Sequence, residues 1–121
     1  MKSWIVLGAS LAALAVALGA FGAHGLKNRV TPADLSIFET GVKYQMYHAL
    51  GLILIGILGF HYNSDIIQTP AVLISIGTLI FSGSLYILAF TGIRWMGAIT
   101  PIGGILLVSG WGMLVFHLLK S

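Results

Sequence analysis

Four long apolar stretches take up most of the chain, and nearly every charged residue lies between or beyond them. The stretches run from Trp4 to Ala23, Tyr47 to Tyr62, Pro70 to Phe90 and Pro101 to Leu119. Each comes near the roughly 20 residues that a helix needs to cross the hydrocarbon core of a bilayer. The pattern therefore predicts an all-α polytopic membrane protein, with four transmembrane helices in an antiparallel bundle.

The composition excludes a soluble globular fold. Only 7% of the residues are charged, 58% are hydrophobic and the mean hydropathy is +1.01, whereas a soluble domain carries about 25% charged residues. Four spans and their connectors use all 121 residues, so we expect a single transmembrane domain over residues 1–121. The first span resembles a signal peptide, but its apolar run is longer than a signal core, and we expect it to be retained.

The distribution of basic residues predicts an orientation in the cell (inner) membrane. Because short cytoplasmic loops are enriched in Lys and Arg, the more basic side is expected to be cytoplasmic. The opposite side has only Lys2 and Lys120, which places both termini outside. Basic residues this scattered form no nucleic-acid patch, so no nucleic-acid partner is expected. The connectors after the first and third spans hold the other four, which are Lys27, Arg29, Lys43 and Arg94.

All three prolines follow threonine, in the pairs Thr31-Pro32, Thr69-Pro70 and Thr100-Pro101. A threonine hydroxyl can accept a free backbone N–H at a helix start, and proline suits the next position because its φ is preset. The pairs predict the starts of helices two, three and four. Helix two is therefore expected to begin at about residue 32, well before its apolar stretch.

Helix one carries a row of small residues at alternating steps of four and three. Spacing of this kind puts the row on one helical face, where close backbone approach stabilises contacts between helices in lipid. We expect this face to pack against another helix, and glycine-rich faces to support a homo-oligomer. The row consists of Gly8, Ala12, Ala15, Gly19 and Gly22.

The densest polar cluster comprises His24, Glu39, Tyr44, Gln45, His48 and Arg94. We expect His24 and His48 to approach each other at the cytoplasmic interface, with Glu39 or Tyr44 supplying a hydrogen-bond partner. The cluster is interpreted either as a pocket for a polar head group or small anion, or as interfacial groups that satisfy one another. Histidines are expected only near the ends of spans, which leaves the middle of the membrane without ionisable groups.

The chemical inventory predicts neither a metal, nor a cofactor, nor an enzyme. The chain has no cysteine, and a closed zinc site wants four ligands where His24 and His48 offer two. This pair could serve as axial haem ligands, but it could equally hydrogen-bond at helix ends. The Ser82-Gly83-Ser84 sequence has no histidine at its expected depth, so a serine nucleophile would lack a base.

Several motifs follow one another in a recognisable order along the chain. They are GAFGAHGL at 19–26, FETGVKYQMYHAL at 38–50, FSGSLYILA at 81–89 and GAITPIGG at 97–104, followed by Gly110-Trp111. Together they resemble the YgdD/YwdK family of small inner-membrane proteins, a domain of unknown function with eukaryotic transmembrane relatives. The resemblance covers essentially the whole chain and implies a four-helix membrane protein, without bringing an established activity, substrate or catalytic residue.

These observations predict a structural or interaction protein that forms a packed bundle, with membrane lipids and other copies of itself as partners. The alternative is a small transporter or channel whose path forms in an oligomer. A polar stripe through the middle of the membrane would favour that alternative, and the sequence offers only small hydroxyls there.

Overall fold

The computed structural model describes residues 2–121 and contains four long helices. They are α1 (Lys2–Phe21), α2 (Pro32–Leu58), α3 (Ser64–Thr91) and α4 (Thr100–Lys120). A π-helical turn over 22–26 extends α1, and a 3₁₀ turn over 94–98 precedes α4. All four are long and apolar enough to cross a membrane, which agrees with the predicted fold.

Helices α2 and α3 form the inner pair of the bundle. Helix α1 packs along α2, and α4 packs along α3, so these two outer helices flank the inner pair. As a result, 44% of the α2 span is buried but only 17% of the α1 span. Because neighbours run antiparallel, connectors 27–31 and 92–99 share one end of the bundle, here called the basic end. Both termini and connector 59–63 share the other, the terminal end.

The small-residue row of α1 lies against α2. Gly8 touches the backbone, since an added Cβ would lie 2.6 Å from the carbonyl oxygen of Ala49. Ala15 is 1% exposed, and a Cβ on Gly22 would lie 2.7 Å from the ring of Phe38. Ala12 and Gly19 are half-buried on the same side. The row is therefore a contact within one chain.

Two of the three Thr-Pro pairs start their helices as predicted. The Thr31 hydroxyl accepts a hydrogen bond from the Asp34 backbone N–H at 3.1 Å, and Pro32 begins α2. Thr100 begins α4, but the predicted cap is wrong there, because its hydroxyl bonds Ser84 and the Met96 carbonyl. The start predicted for the third helix is also wrong, since α3 begins at Ser64 and Pro70 lies inside it.

Pro70 is tolerated inside α3 because another helix replaces its missing donor. A residue at position 70 would normally donate its N–H to the carbonyl of Ile66, and proline has no N–H to give. The Nδ1 of His117, on α4, lies 3.1 Å from that carbonyl oxygen. Since a carbonyl can only accept, Nδ1 is the donor. His117 thus supplies the bond that the helix lacks.

The membrane segment predicted for α2, Tyr47 to Tyr62, is shorter than a bilayer core once the end of the helix is considered. Helix α2 ends at Leu58, and from Tyr47 it would cover only about 18 Å at ~1.5 Å per residue. A bilayer core is roughly 30 Å thick. We therefore expect the span to begin near Phe38, with Gln45 and His48 in the membrane interior.

Candidate functional site

The six residues predicted to form one polar cluster lie in four different places. His24 and Glu39 are exposed near the basic end. Arg94 pairs with Asp34 at that end. Gln45 is buried between α1, α2 and α3, whereas Tyr44 and His48 lie towards the aromatic side chains of α3 and α4.

The structure does not bring His24 and His48 together. His48 precedes Ala49, which is level with Gly8, whereas His24 follows Gly22 near the basic end. Those two levels on α1 are roughly 20 Å apart at ~1.5 Å per residue. His24 is exposed, while His48 is 8% exposed beside Trp111. The expected approach fails because α2 continues about three turns beyond Phe38, at the level of Gly22, before it reaches His48.

Asp34 and Arg94 join the start of α2 to connector 92–99 at the basic end. The Arg94 guanidinium nitrogens lie 3.0 and 3.3 Å from the two carboxylate oxygens of Asp34, a forked geometry. Asp34 lies in the first turn of α2, where a negative charge is favoured. The Arg94 side chain is largely exposed, so the pair contributes little stability.

Gln45, on α2, forms hydrogen bonds with both α1 and α3. Its Nε2 donates to the Leu11 carbonyl of α1 at 2.8 Å, and its Oε1 accepts from the Tyr86 hydroxyl of α3 at 2.7 Å. The amide orientation follows from these partners, because a carbonyl cannot donate. Gln45 is 3% exposed. Sequence reasoning found Gln45 but missed Tyr86, whose partner is 41 positions away.

The buried hydroxyls of α3 are bonded to backbone or to neighbouring helices. Ser82 donates to the Gly41 carbonyl of α2 at 2.7 Å, and Ser84 bonds the Phe81 carbonyl and the Thr100 hydroxyl. Thr78 donates to Ile74 in its own helix. The Ser82-Gly83-Ser84 segment therefore holds helices together through hydrogen bonds.

His48 is an ionisable group within the membrane span that we expect for α2. Its Nδ1 lies 2.7 Å from the Tyr44 carbonyl oxygen, and since a carbonyl only accepts, Nδ1 is the donor. The imidazole lies between the rings of Tyr44 and Trp111, with centroids at 6.3 and 5.9 Å. Trp111 packs directly on Gly51, since a Cβ added to Gly51 would lie 2.8 Å from the indole ring. Such a residue within a span is a candidate for function.

A cleft opens between α1 and α3 at mid-depth, with α2 as its floor; we call it the α1–α3 cleft. Its volume is about 260 Å³. At the terminal end, Trp4 Nε1 donates to the Gln68 side chain at 3.3 Å, and at the basic end the rings of Phe21 and Phe90 are 6.3 Å apart. These contacts close the two ends. The lining includes Leu11, Leu14, Leu18, Gln45, Thr78, Leu79, Ser82, Gly83 and Tyr86.

Comparison with known proteins gives matches over nearly the whole chain. Residues 18–104 match the family described as "Protein of unknown function (DUF423)". A Staphylococcus saprophyticus relative, UPF0382 membrane protein SSP2132, is 52% identical over 120 residues, covering 99% of each chain. The Bacillus subtilis UPF0382 membrane protein YwdK is 46% identical over 121 residues, covering 99% of this chain and 98% of its own. No solved structure matches. The resemblance inferred from the motifs is confirmed.

Proposed function

Because the chain belongs to the DUF423 family of membrane proteins, whose molecular role is open, we propose a function from geometry: a non-catalytic membrane protein that assembles with copies of itself through the outward face of α1. Its partners are then lipids and other copies of the chain. The observation that carries this proposal is a second row of small residues on α1.

That second row faces away from the bundle. Ala9, Ala13 and Ala17 are exposed and spaced four apart, on the side of α1 opposite the buried Gly8 and Ala15. In lipid, small residues at this spacing let two helices approach closely. Two glycines of the first row, Gly8 and Gly22, pack against α2 within the protomer, so on α1 the alanine row is the better candidate surface.

The polar side chains of the inner pair favour an interaction role over the transporter or channel alternative. A path for ions or solutes needs polar groups free to replace water along its length. Here the side chains of Gln45, Ser82 and Tyr86 form hydrogen bonds with groups on other helices. The Ser82 hydroxyl donates its hydrogen to the Gly41 carbonyl and not to a base, which supports a role without nucleophilic catalysis.

The proposed orientation has both termini outside. Its support is that connectors 27–31 and 92–99, which hold Lys27, Arg29 and Arg94, lie at the same end of the bundle. The chain has no cysteine, which gives a clean background for single cysteines. In intact cells an impermeant thiol reagent should label Ser64→Cys and leave Asn28→Cys unlabelled, and the reverse result would overturn the orientation.

Self-association is tested by oxidative cross-linking of single-cysteine variants in native membranes. Ala13→Cys should form disulfide-linked dimers, because contact between the alanine rows of two copies would place the Cys thiol of one copy beside that of the other. The matched control is Val108→Cys, since Val108 is 73% exposed on outer helix α4. A bulky Ala13→Leu variant should remove dimers detected by native mass spectrometry without unfolding the protomer. Equal cross-linking of Ala13→Cys and Val108→Cys would refute the interface.

A further inference from the structure

We propose that the α1–α3 cleft binds a lipid-soluble molecule that carries a carbonyl oxygen on an apolar body, with an isoprenoid quinone as the representative chemistry. This site goes beyond self-association through the outward face of α1. The outward alanines lie on the opposite side of the helix from Leu11 and Leu18, which line the cleft.

The position of the cleft fixes where its ligand comes from. The Trp4–Gln68 hydrogen bond and the Phe21–Phe90 contact close it at both ends. Gly83 lines the cleft between those ends. Access is therefore sideways, from the hydrocarbon of the bilayer, and the ligand must already be dissolved there.

The hydrogen-bond inventory of the lining leaves one spare donor. The hydroxyl hydrogens of Thr78, Ser82 and Tyr86 are used by Ile74, Gly41 and Gln45. Ser75 likewise donates to Ala71. The Nε2 of Gln45 carries two hydrogens, and the bond to Leu11 uses one.

A spare N–H in hydrocarbon is costly, because no water is available to accept its hydrogen bond. Gln45 is only 3% exposed and forms the floor of the cleft. A carbonyl oxygen supplies the missing acceptor and needs no donor in return. Phospholipid ester carbonyls lie at the interface, away from this depth, so a molecule with its carbonyl on a mobile hydrophobic body fits better.

The walls suit an apolar body of limited size. Leu14, Leu18 and Leu79 present hydrocarbon on both sides of the opening. The volume of about 260 Å³ is just below the range of roughly 300–1,000 Å³ typical of ligand pockets. The cleft would thus hold a ring or short segment, with the remaining tail among the lipids.

The first test fills the cleft without disturbing its floor. A Cβ at Gly83 would meet nothing within 4 Å, so Gly83→Leu occupies the opening and leaves the helices in place. Gly112, on α4 and away from the cleft, has the same free surroundings, which makes Gly112→Leu the matched control. A short-chain isoprenoid quinone is titrated into each purified protein in lipid nanodiscs, and binding is followed by native mass spectrometry.

Saturable quinone binding is expected for the unmodified protein and for Gly112→Leu, with an affinity about tenfold weaker or worse for Gly83→Leu. Absence of saturable binding, or equal affinity of the two leucine variants, would overturn the site.

The second test addresses the carbonyl on the unmodified protein. An isoprenoid hydrocarbon of equal length but without oxygen competes with the quinone in the same assay. We expect it to bind about tenfold more weakly or worse, a difference typical of one lost hydrogen bond to a buried donor. Equal competition would overturn the carbonyl assignment and leave a cleft that packs only acyl chains.

Discussion

Helix α2 is the least apolar of the four spans and the most buried, whereas α1 is the most apolar and the least buried. In a soluble protein the relation would be reversed. Lipid tails are as apolar as leucine, so apolar side chains gain little by leaving them, whereas an unpaired polar group in hydrocarbon is costly. The comparison teaches that polarity, more than hydrophobicity, decides which helix lies inside this bundle.

The two kinds of helix are also held differently. The inner helices are joined by side-chain hydrogen bonds such as Ser82 to Gly41 and Tyr86 to Gln45. The outer helices dock by backbone contact at glycine: Gly8 of α1 lies on Ala49, and Gly103 of α4 on Phe81. Small residues thus attach the outer helices, and polar residues position the inner ones.

The largest effect is expected at a glycine contact of an outer helix. In Gly103→Ala the new Cβ would lie 2.5 Å from the backbone nitrogen of Phe81, which cannot move aside without shifting the helix. We expect a loss on the order of 1–3 kcal/mol. The adjacent Gly104→Ala is the control, because its Cβ would meet only ring atoms at 3.9 Å and beyond. Equal unfolding free energies of the two variants in detergent would argue against backbone docking.

An intermediate effect is expected at the polar junction of the inner pair. Gln45→Leu removes the bonds to Leu11 and Tyr86, and we expect a cost of ~1–2 kcal/mol. Tyr86→Phe alone should cost about 0.6 kcal/mol, and nearly nothing when Gln45 is already replaced by leucine. Steric trapping in bilayers measures both single variants and the double variant. Additive costs would show that the hydrogen bond does not couple the two helices.

The smallest effect is expected at His117 of outer helix α4, which supplies the hydrogen bond that Pro70 removes from inner helix α3. His117→Leu should cost about 1 kcal/mol, because the Ile66 carbonyl loses its donor. With Pro70→Ala, the alanine N–H can bond that carbonyl, so the same histidine change should then cost only a few tenths. Thermal unfolding of the four proteins completes the cycle. An undiminished cost of His117→Leu in the Pro70→Ala background would assign His117 a different role.

The sequence predicted what depends on local chemistry. The four helices, the Thr31 cap and the buried face of α1 follow from apolar length, a capping pair and small-residue spacing. The part of α2 that crosses the membrane could not be predicted in this way. A search for continuous apolar residues starts the span at Tyr47, because it does not recognise polar side chains that other helices bury. Only the lengths of the whole helix and the bilayer show that Gln45 lies at mid-depth.

Only part of the candidate site could be predicted, because its contacts join residues that are distant in the sequence. Gln45 and His48 stood out as polar residues near a span, but their partners Tyr86 and Trp111 lie far along the chain, on α3 and α4. The pairing of Arg94 with Asp34 similarly depends on connectors that meet only in the folded bundle. Thr69-Pro70 was wrongly predicted to start a helix, because the hydrogen bond that lets Pro70 lie inside α3 comes from His117 on another helix.

The central claim, that α2 carries its polar segment through the middle of the membrane, is tested most directly by the depth of Tyr47. This side chain is 59% exposed to the lipid side, so a spin label on Tyr47→Cys leaves the core undisturbed. In bilayers the label should collide with dissolved oxygen far more than with a water-soluble nickel chelate, as should a label on Leu79→Cys. Accessibility to the nickel chelate equal to that of Ser36→Cys would place Tyr47 at the interface and contradict the account.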